Sequence, residues 1–509
     1  MPVQVGEPLS LDDVAAVAAG EPVALPPGAA DRIRAARAVV EEVVASGRTV
    51  YGVTTGFGSL ANVRVPPERA AELQHAIVRS HAAAVGPALS REEARAMLLL
   101  RAHVLALGHS GVRVEIVERM VEMLNRDLIP EVPEQGSLGA SGDLAPLACL
   151  ALPIIGRGRM LGPGDVPIPA SQALAEAGLE ALTLQAKEGL ALVNGTQGML
   201  AVGILAARRV ANLVKAADVA AAMSIEAALG TDAPFDERLQ RLRPHPGQAA
   251  SARNLRRLMA GSGIVESHRD SGHLVQDGYS LRCAPQVHGA TRDVLGYVEN
   301  VLTVEAGSVS DNPIVLAEEG EILSGGNFHG QPVAIALDAL AAATVSLASV
   351  SERRLYRLLD PATNNGLPAF LVRESGLNSG FMIAQYTAAS LVSESKSLAH
   401  PASVDSITSS AGQEDHVSMG MTAARHARAC VTNAGVVVAI EVLAAAQGLD
   451  LRASLEPGAG SRAALAVVRE VVPFLDEDRE LRPDIDAVVE LVRSGRLVQA
   501  AESAVGALD

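Results

Sequence analysis

Residues 136–148 read Gly-Ser-Leu-Gly-Ala-Ser-Gly-Asp-Leu-Ala-Pro-Leu-Ala, and the triplet Ala140-Ser141-Gly142 inside them holds a chemistry that no single side chain carries. Glycine at 139 and 142 admits tight backbone conformations that a Cβ would forbid. In such a loop the amide nitrogen of Gly142 can reach the carbonyl carbon of Ala140. Attack there, loss of water and dehydration of Ser141 would leave a five-membered ring with an exocyclic methylene, a strong electrophile. The sequence holds the precursor of that ring.

Working outward, the chain has 509 residues, more than a single hydrophobic core usually supports. Apolar residues make up 49% but aromatics only 2%, so Ala, Val and Leu build the core and suit closely approaching helices. A formal charge of −16 argues against a nucleic-acid partner, which calls for a basic patch. Cys149, Cys283 and Cys430 lie far apart, without metal or disulfide spacing, and read as buried thiols in a reducing cytosol. The first residues, Met-Pro-Val-Gln-Val-Gly-Glu, lack a basic segment followed by an apolar run, so no signal peptide is expected. The most apolar stretches, such as 436–447, are interrupted by Glu441 and are expected to fall short of a bilayer span. These features point to a cytoplasmic protein with no membrane partner.

Helix signals dominate. Residues 29–46 follow Pro26-Pro27, end at Gly47 and align Ile33, Ala36, Val40, Val43 and Val44 on one stripe. Ser90 and Glu93 form a capping box that opens a helix running to about Gly108. Further helices are expected over 114–125, 199–229, 332–359 and 417–447. Their length calls for a bundle of long packed rods. Strand signals are few: 314–316 and 321–323 flank Glu318-Glu319-Gly320 as a hairpin, while Gly/Pro-rich 156–169, 244–247 and 457–460 read as loops. The expectation is a mainly α chain with few short strands. An N-terminal catalytic region covers 1–198, a central long-helix bundle 199–450, and C-terminal helices 451–509.

Five blocks carry more Gly, polar and aromatic residues than core packing needs. In Tyr51-Gly-Val-Thr-Thr-Gly-Phe-Gly58, Tyr51 opens a glycine-rich loop, either as a packing residue or as a phenol able to act as a base once its pKa is lowered. Ser80-His81 offers a polar pair, though by pattern alone His81 reads as an ordinary helix histidine. Asn194, in Leu-Val-Asn-Gly-Thr, either binds a polar ligand or caps the long helix that follows. Gln276, Tyr279 and Arg282 recur at intervals of three, one face of a helical turn. Arg282 has the planar fork that grips a carboxylate, with an internal salt bridge as the alternative. The last block pairs Ser324-Gly-Gly-Asn-Phe-His329 with Gln413-Glu-Asp-His-Val-Ser418: Phe328 offers an aromatic wall and Glu414 an acceptor for a ring N–H. Glu414-Asp415-His416 is not read as a metal site, because adjacent residues cannot all face one ion and no spaced partner completes a set.

The run Gly-Ser-Leu-Gly-Ala-Ser-Gly-Asp-Leu-Ala-Pro-Leu resembles the signature of the aromatic amino acid ammonia-lyases, and with the other blocks the resemblance covers about residues 45–450. It implies the long-helix bundle of the ammonia-lyase/fumarase-like type. It also implies a methylidene-imidazolone formed autocatalytically from Ala140, Ser141 and Gly142, with no external cofactor. On that resemblance Tyr51 is the loop base or proton relay. Asn194, Gln276 and Tyr279 surround the electrophile and the amino group, Arg282 holds the substrate carboxylate, and Phe328 lines the site. His81 and Glu414 address the substrate ring, which points to the branch acting on histidine. An apolar phenyl ring would leave each such polar group unpaired, at a cost of about 1–3 kcal/mol. The resemblance further implies a homotetramer in which each active site draws on three chains. Thr54, Gly278, Thr408 and Gly412 depart from residues common in that branch, and none of them is a proposed catalytic group. Competing readings are a tyrosine or phenylalanine ammonia-lyase or 2,3-aminomutase on the same scaffold, and a serine hydrolase read from Gly139-Ala140-Ser141-Gly142-Asp143. The hydrolase reading needs glycine where Asp143 stands and a strand before it. A catalytically dead helical scaffold would require the loss of groups that are all present.

Overall fold

The computed structural model describes every residue except Ala61, His273 and Leu274. The chain forms two compact units, each assembled from separated segments.

The first unit comprises Met1–Leu205, Glu299–Asp338 and Pro401–Arg425. Its spine is the helix Arg91–Ala106, opened by the expected capping box: Ser90 Oγ accepts from Glu93 N, and Glu93 Oε2 accepts from Ser90 N. Every residue from Glu93 to Ala106 is buried, because the helices Leu11–Ala18, Pro27–Ser46 and Val114–Asn125 all pack on it. Pro27–Ser46 starts on the second proline and stops at Gly47, whose φ of 69° closes the helix in the left-handed region. Its buried stripe takes in Val39 and Arg37 besides Ile33, Ala36, Val40 and Val43, whereas Val44 is only partly covered. Arg37 is tolerated there because its guanidinium donates to the carbonyls of Gly111 and Ala186.

The expected hairpin Ile314–Leu316/Glu321–Leu323 forms, with Val315 opposite Ile322. Three other two-stranded pairs carried no strand signal: Val3–Gln4 with Val23–Ala24, Val85–Ala88 with Pro133–Gln135, and Arg159–Leu161 with Pro167–Pro169. The last pair corrects the reading of 156–169 as loop alone. Its proline-bearing strand sits at an edge, where a missing N–H costs no ladder bond.

His103 lies inside the spine helix, and its Nδ1 accepts from Gly6 N at 3.1 Å. Burial pushes its pKa from 6.5 down to about 4. Between those values the unfolded chain binds the extra proton, so stability falls as pH drops through this window and is fully present above it. The loss approaches about 3 kcal/mol if the whole shift is expressed. In His103→Gln, which keeps an acceptor but cannot titrate, urea midpoints between pH 7 and 4 are expected to fall less steeply than in the wild type. Parallel pH profiles would show that His103 contributes nothing to acid sensitivity.

The second unit comprises Ala206–Val298, Ala339–His400 and His426–Asp509. Long helices run through it: Gln197–Ala227, Ala284–Ala306, Gln331–Leu359, Met382–Leu398 and Gly420–Leu451. Ala284–Ala306 and Met382–Leu398 were not read from the sequence. Two expected loops are helix starts instead: Pro246 opens Pro246–Leu258 and Ala459 opens Ala459–Arg469. Gln331–Leu359 and Gly420–Leu451 are long and apolar enough to cross a bilayer, contrary to the expectation from length, yet 61% and 72% of their apolar windows are buried within the protein.

Glu441, the charge that interrupts the second of these helices, is fully buried and bound on both oxygens. Oε1 accepts from Ser224 Oγ and Arg354 Nε, Oε2 from Ser351 Oγ and Arg354 Nη2. Arg354 Nη1 lies 3.2 Å from His288 Nε2, and His288 Nδ1 lies 2.7 Å from Asp218. Burial alone would raise the Asp218 pKa, but Arg292 and His288 hold it well below the usual carboxylate range. Buried charges paired in this way tie four long helices to one register. Cys149 and Cys283 are half-buried and only Cys430 is buried, a partial departure from the expected burial, and all three are free thiols.

Candidate active site

The loop 136–143 is clasped from two sides. Leu138 O and Gly139 O accept from Met419 N and Ser418 N, each at 3.2 Å, while Asp143 N donates to Gly195 O at 2.7 Å and Gly195 N to Ser141 O at 3.3 Å. Gly142 has φ +70°, and a Cβ on it would collide with the Gly195 backbone. The fully buried Asp143 anchors the end of the loop, accepting from Ser137 Oγ and Met199 N at 2.7 Å each. Burial pushes its carboxyl up to about 6. Ala140 and Ser141 face a cavity of about 870 Å³, and the Gly142 N–H forms no hydrogen bond among the described residues. A free amide nitrogen, a side-chain-free glycine and a cavity-facing serine fit the cyclisation that the sequence allows. They do not fit a nucleophile elbow, because the segment before the loop is three residues of a two-stranded antiparallel pair, not a strand of an α/β sheet.

Tyr51, His81, Asn194, Phe328 and Glu414 line the same cavity. Tyr51 reaches it from a braced loop: its hydroxyl accepts from Gly58 N at 3.2 Å, and Thr55 Oγ1 accepts from Gly52 N at 3.2 Å. Thr54 is buried and turned away, donating to Arg48 O at 2.8 Å, so this departure from the family pattern falls outside the cavity lining. His81 ends the helix Ala70–His81, and burial lowers its pKa. Ser80 Oγ donates to Ile77 O at 3.2 Å and lies 3.0 Å from His81 Nδ1. Glu414 is held by Ser409 Oγ at 2.9 Å.

Asn194 does not cap the following helix. Its Nδ2 donates to Asp311 Oδ1 at 3.2 Å and to Asn312 O at 3.0 Å. His329 and His416, which sequence reading left without a role, stack at 5.9 Å on the cavity wall. Among the described residues no three His, Cys, Asp or Glu side chains are placed to hold a metal ion. Sequence reading also missed Lys187, Asp311 and Asn312. The signal was a Lys-Glu pair opening onto the apolar run 189–193 and an Asp-Asn pair before Pro313.

Gln276, Tyr279 and Arg282 are not among the residues lining this cavity; they belong to the second unit. Tyr279–Arg282 is a single helical turn that Gln276 precedes, so the three do not share one helix face as the spacing implied. Tyr279 is 71% exposed. The Arg282 guanidinium lies 4.5 Å from the centre of the Tyr279 ring, and its Nε donates to Asp277 O.

A mainly helical chain that presents a glycine-flanked Ala-Ser-Gly triplet to a cavity rich in His, Asn, Tyr and Glu defines a lyase-type site. A sequence model of the aromatic amino acid lyase family matches residues 9–470. The histidine ammonia-lyase of Sorangium cellulosum is 54% identical over 513 residues, covering 99% of each chain. The histidine ammonia-lyase structure from Trypanosoma cruzi is 44% identical with a TM-score of 0.92, covering 99% of this chain and 96% of that one. The tyrosine aminomutase of Streptomyces globisporus is 38% identical with a TM-score of 0.94, covering 99% of both. The chain belongs to the aromatic amino acid lyase family.

Proposed function

We propose that this protein is a cytoplasmic carbon–nitrogen lyase that eliminates ammonia from free L-histidine to give trans-urocanate. The observation that carries the substrate is that His81 and Glu414 both line the cavity, polar groups that the N–H and the ring nitrogen of an imidazole can engage and a phenyl ring cannot. Relatives that carry the name histidine ammonia-lyase, at more than half identity over nearly the whole chain, support it. Ala140, Ser141 and Gly142 would hold the methylidene-imidazolone made from themselves, which supplies the electrophile that turns the substrate's amine into a leaving group.

The remaining work falls to ordinary side chains. Arg282 holds the carboxylate, Phe328 and the cavity walls exclude water, Asn194, Gln276 and Tyr279 attend the amino group, and Tyr51 or Glu414 removes the β-proton. That proton is barely acidic, so base and positioning act together. Gln276, Tyr279 and Arg282, absent from the lining of this cavity, would serve it from another copy in a homotetramer, as the family resemblance implies.

Purified protein offered L-histidine, L-tyrosine and L-phenylalanine separately is expected to release ammonia and unsaturated acid from L-histidine with a kcat/KM at least about a hundredfold above the others. Faster turnover of an aryl substrate would overturn the histidine assignment, and a β-amino acid product would make the enzyme an aminomutase.

A further inference from the structure

Behind the cavity of the first unit, two fully buried charges have no part in the mechanism above. Lys187 Nζ and Asp311 Oδ2 form an ion pair at 2.9 Å. The other oxygen, Asp311 Oδ1, accepts from Asn312 N at 2.7 Å and from Asn194 Nδ2 at 3.2 Å. Asn194 directs its second amide hydrogen at Asn312 O, and its backbone carbonyl accepts from the buried Arg101 at 2.8 Å. Both amide hydrogens are therefore engaged. A half-turn of the amide would aim its oxygen at a carboxylate and a carbonyl, so the partners themselves dictate its orientation. What remains is Asn194 Oδ1, which is buried, has no partner, and belongs to a residue lining the cavity.

We propose that Lys187 and Asp311 are positioning residues that hold the Asn194 carboxamide as a dedicated hydrogen-bond acceptor for the amino group of the bound substrate. An oxygen presented in this way accepts from an ammonium or amine N–H and has nothing to offer a carboxylate. Lys187 has a defined part. Its ammonium holds Asp311 Oδ2 at 2.9 Å and so leaves Oδ1 turned toward Asn194 Nδ2. The proposal rests on the ammonia-lyase reading in taking an amino acid as the ligand.

The test is calorimetric titration of the full-length protein in a Ser141→Ala background, where the ligand stays intact. L-Histidine is compared with 3-(imidazol-4-yl)propanoate, which lacks only the amino group. Asp311→Asn places an amide where the carboxylate was, and is expected to weaken L-histidine binding about tenfold, the cost of one charge-assisted hydrogen bond. The des-amino acid should bind within about twofold of its parent value, since it never makes that bond. Lys187→Gln keeps a donor for Asp311 and should show the same selectivity with a smaller loss. Asp311→Asn should add nothing to Asn194→Ala, because it acts through that residue. Equal losses for both ligands, in either variant, would mean a general lesion and overturn the proposal, as would losses additive with Asn194→Ala. If L-histidine fails to bind the parent, the substrate reading fails instead, and the same comparison passes to whichever amino acid binds and its des-amino acid.

Discussion

Ser141→Ala is expected to lower kcat by at least about a thousandfold, roughly 4 kcal/mol of transition-state stabilisation, while leaving the fold intact. The substitution removes one hydroxyl and touches none of the bonds that clasp the loop. Gly195 N still donates to the residue 141 carbonyl, Asp143 N to Gly195 O, and Ser418 N to Gly139 O. What disappears is the group whose loss as water would create the exocyclic methylene. The readout is direct because the chain has no tryptophan and five tyrosines, so a conjugated ring would stand out in the near-ultraviolet as a shoulder missing from the variant. The peptide spanning the triplet should be lighter than its sequence by two waters in the wild type and full weight in the variant. Unchanged turnover in Ser141→Ala, or a full-weight peptide from active wild type, would remove the self-made electrophile from the account.

Much of this was legible because the informative residues are local in sequence. The triplet and its glycines lie within a few positions, and long Ala/Val/Leu-rich runs announce the helices around 199–229, 332–359 and 417–447. The helix Ala284–Ala306 escaped notice because Gly289, Gly296 and a sprinkling of Arg, Asp and His break its apolar pattern, although His288 serves the buried Asp218–Arg354 network. The short strands were hidden because two to four residues, several of them proline, give no alternation to read. Lys187 was invisible for a different reason. A lysine next to a glutamate normally reads as solvated surface, and only the long-range partner Asp311 reveals a buried ion pair. Asn194 showed the limit in the other direction: its type was informative, but whether it donates or accepts depends on residues more than a hundred positions away.

Mixing two inactive chains should restore activity, and the placement of residues says which two. Ser141 faces the cavity of the first unit, whereas Arg282 belongs to the second and is absent from that cavity's lining. A chain carrying Ser141→Ala still has its arginine; a chain carrying Arg282→Ile still has its triplet. If the chain assembles as the proposed homotetramer and each site takes the triplet from one copy and the arginine from another, co-expressed chains in equal amounts will form sites intact at both positions about one time in four. The mixture should then approach about a quarter of wild-type turnover, although Ser141→Ala alone is nearly inert and Arg282→Ile alone suffers in KM and kcat together. Geometry also supplies the control. Ser141 and Asn194 line the same cavity of one chain, so Ser141→Ala mixed with Asn194→Ala has no route to an intact site and should stay inactive. A mixture of the first pair no more active than its parts would mean that each chain completes its own site or that Arg282 does not hold the carboxylate. Recovery in the control pair would mean that the cavity itself is shared between chains.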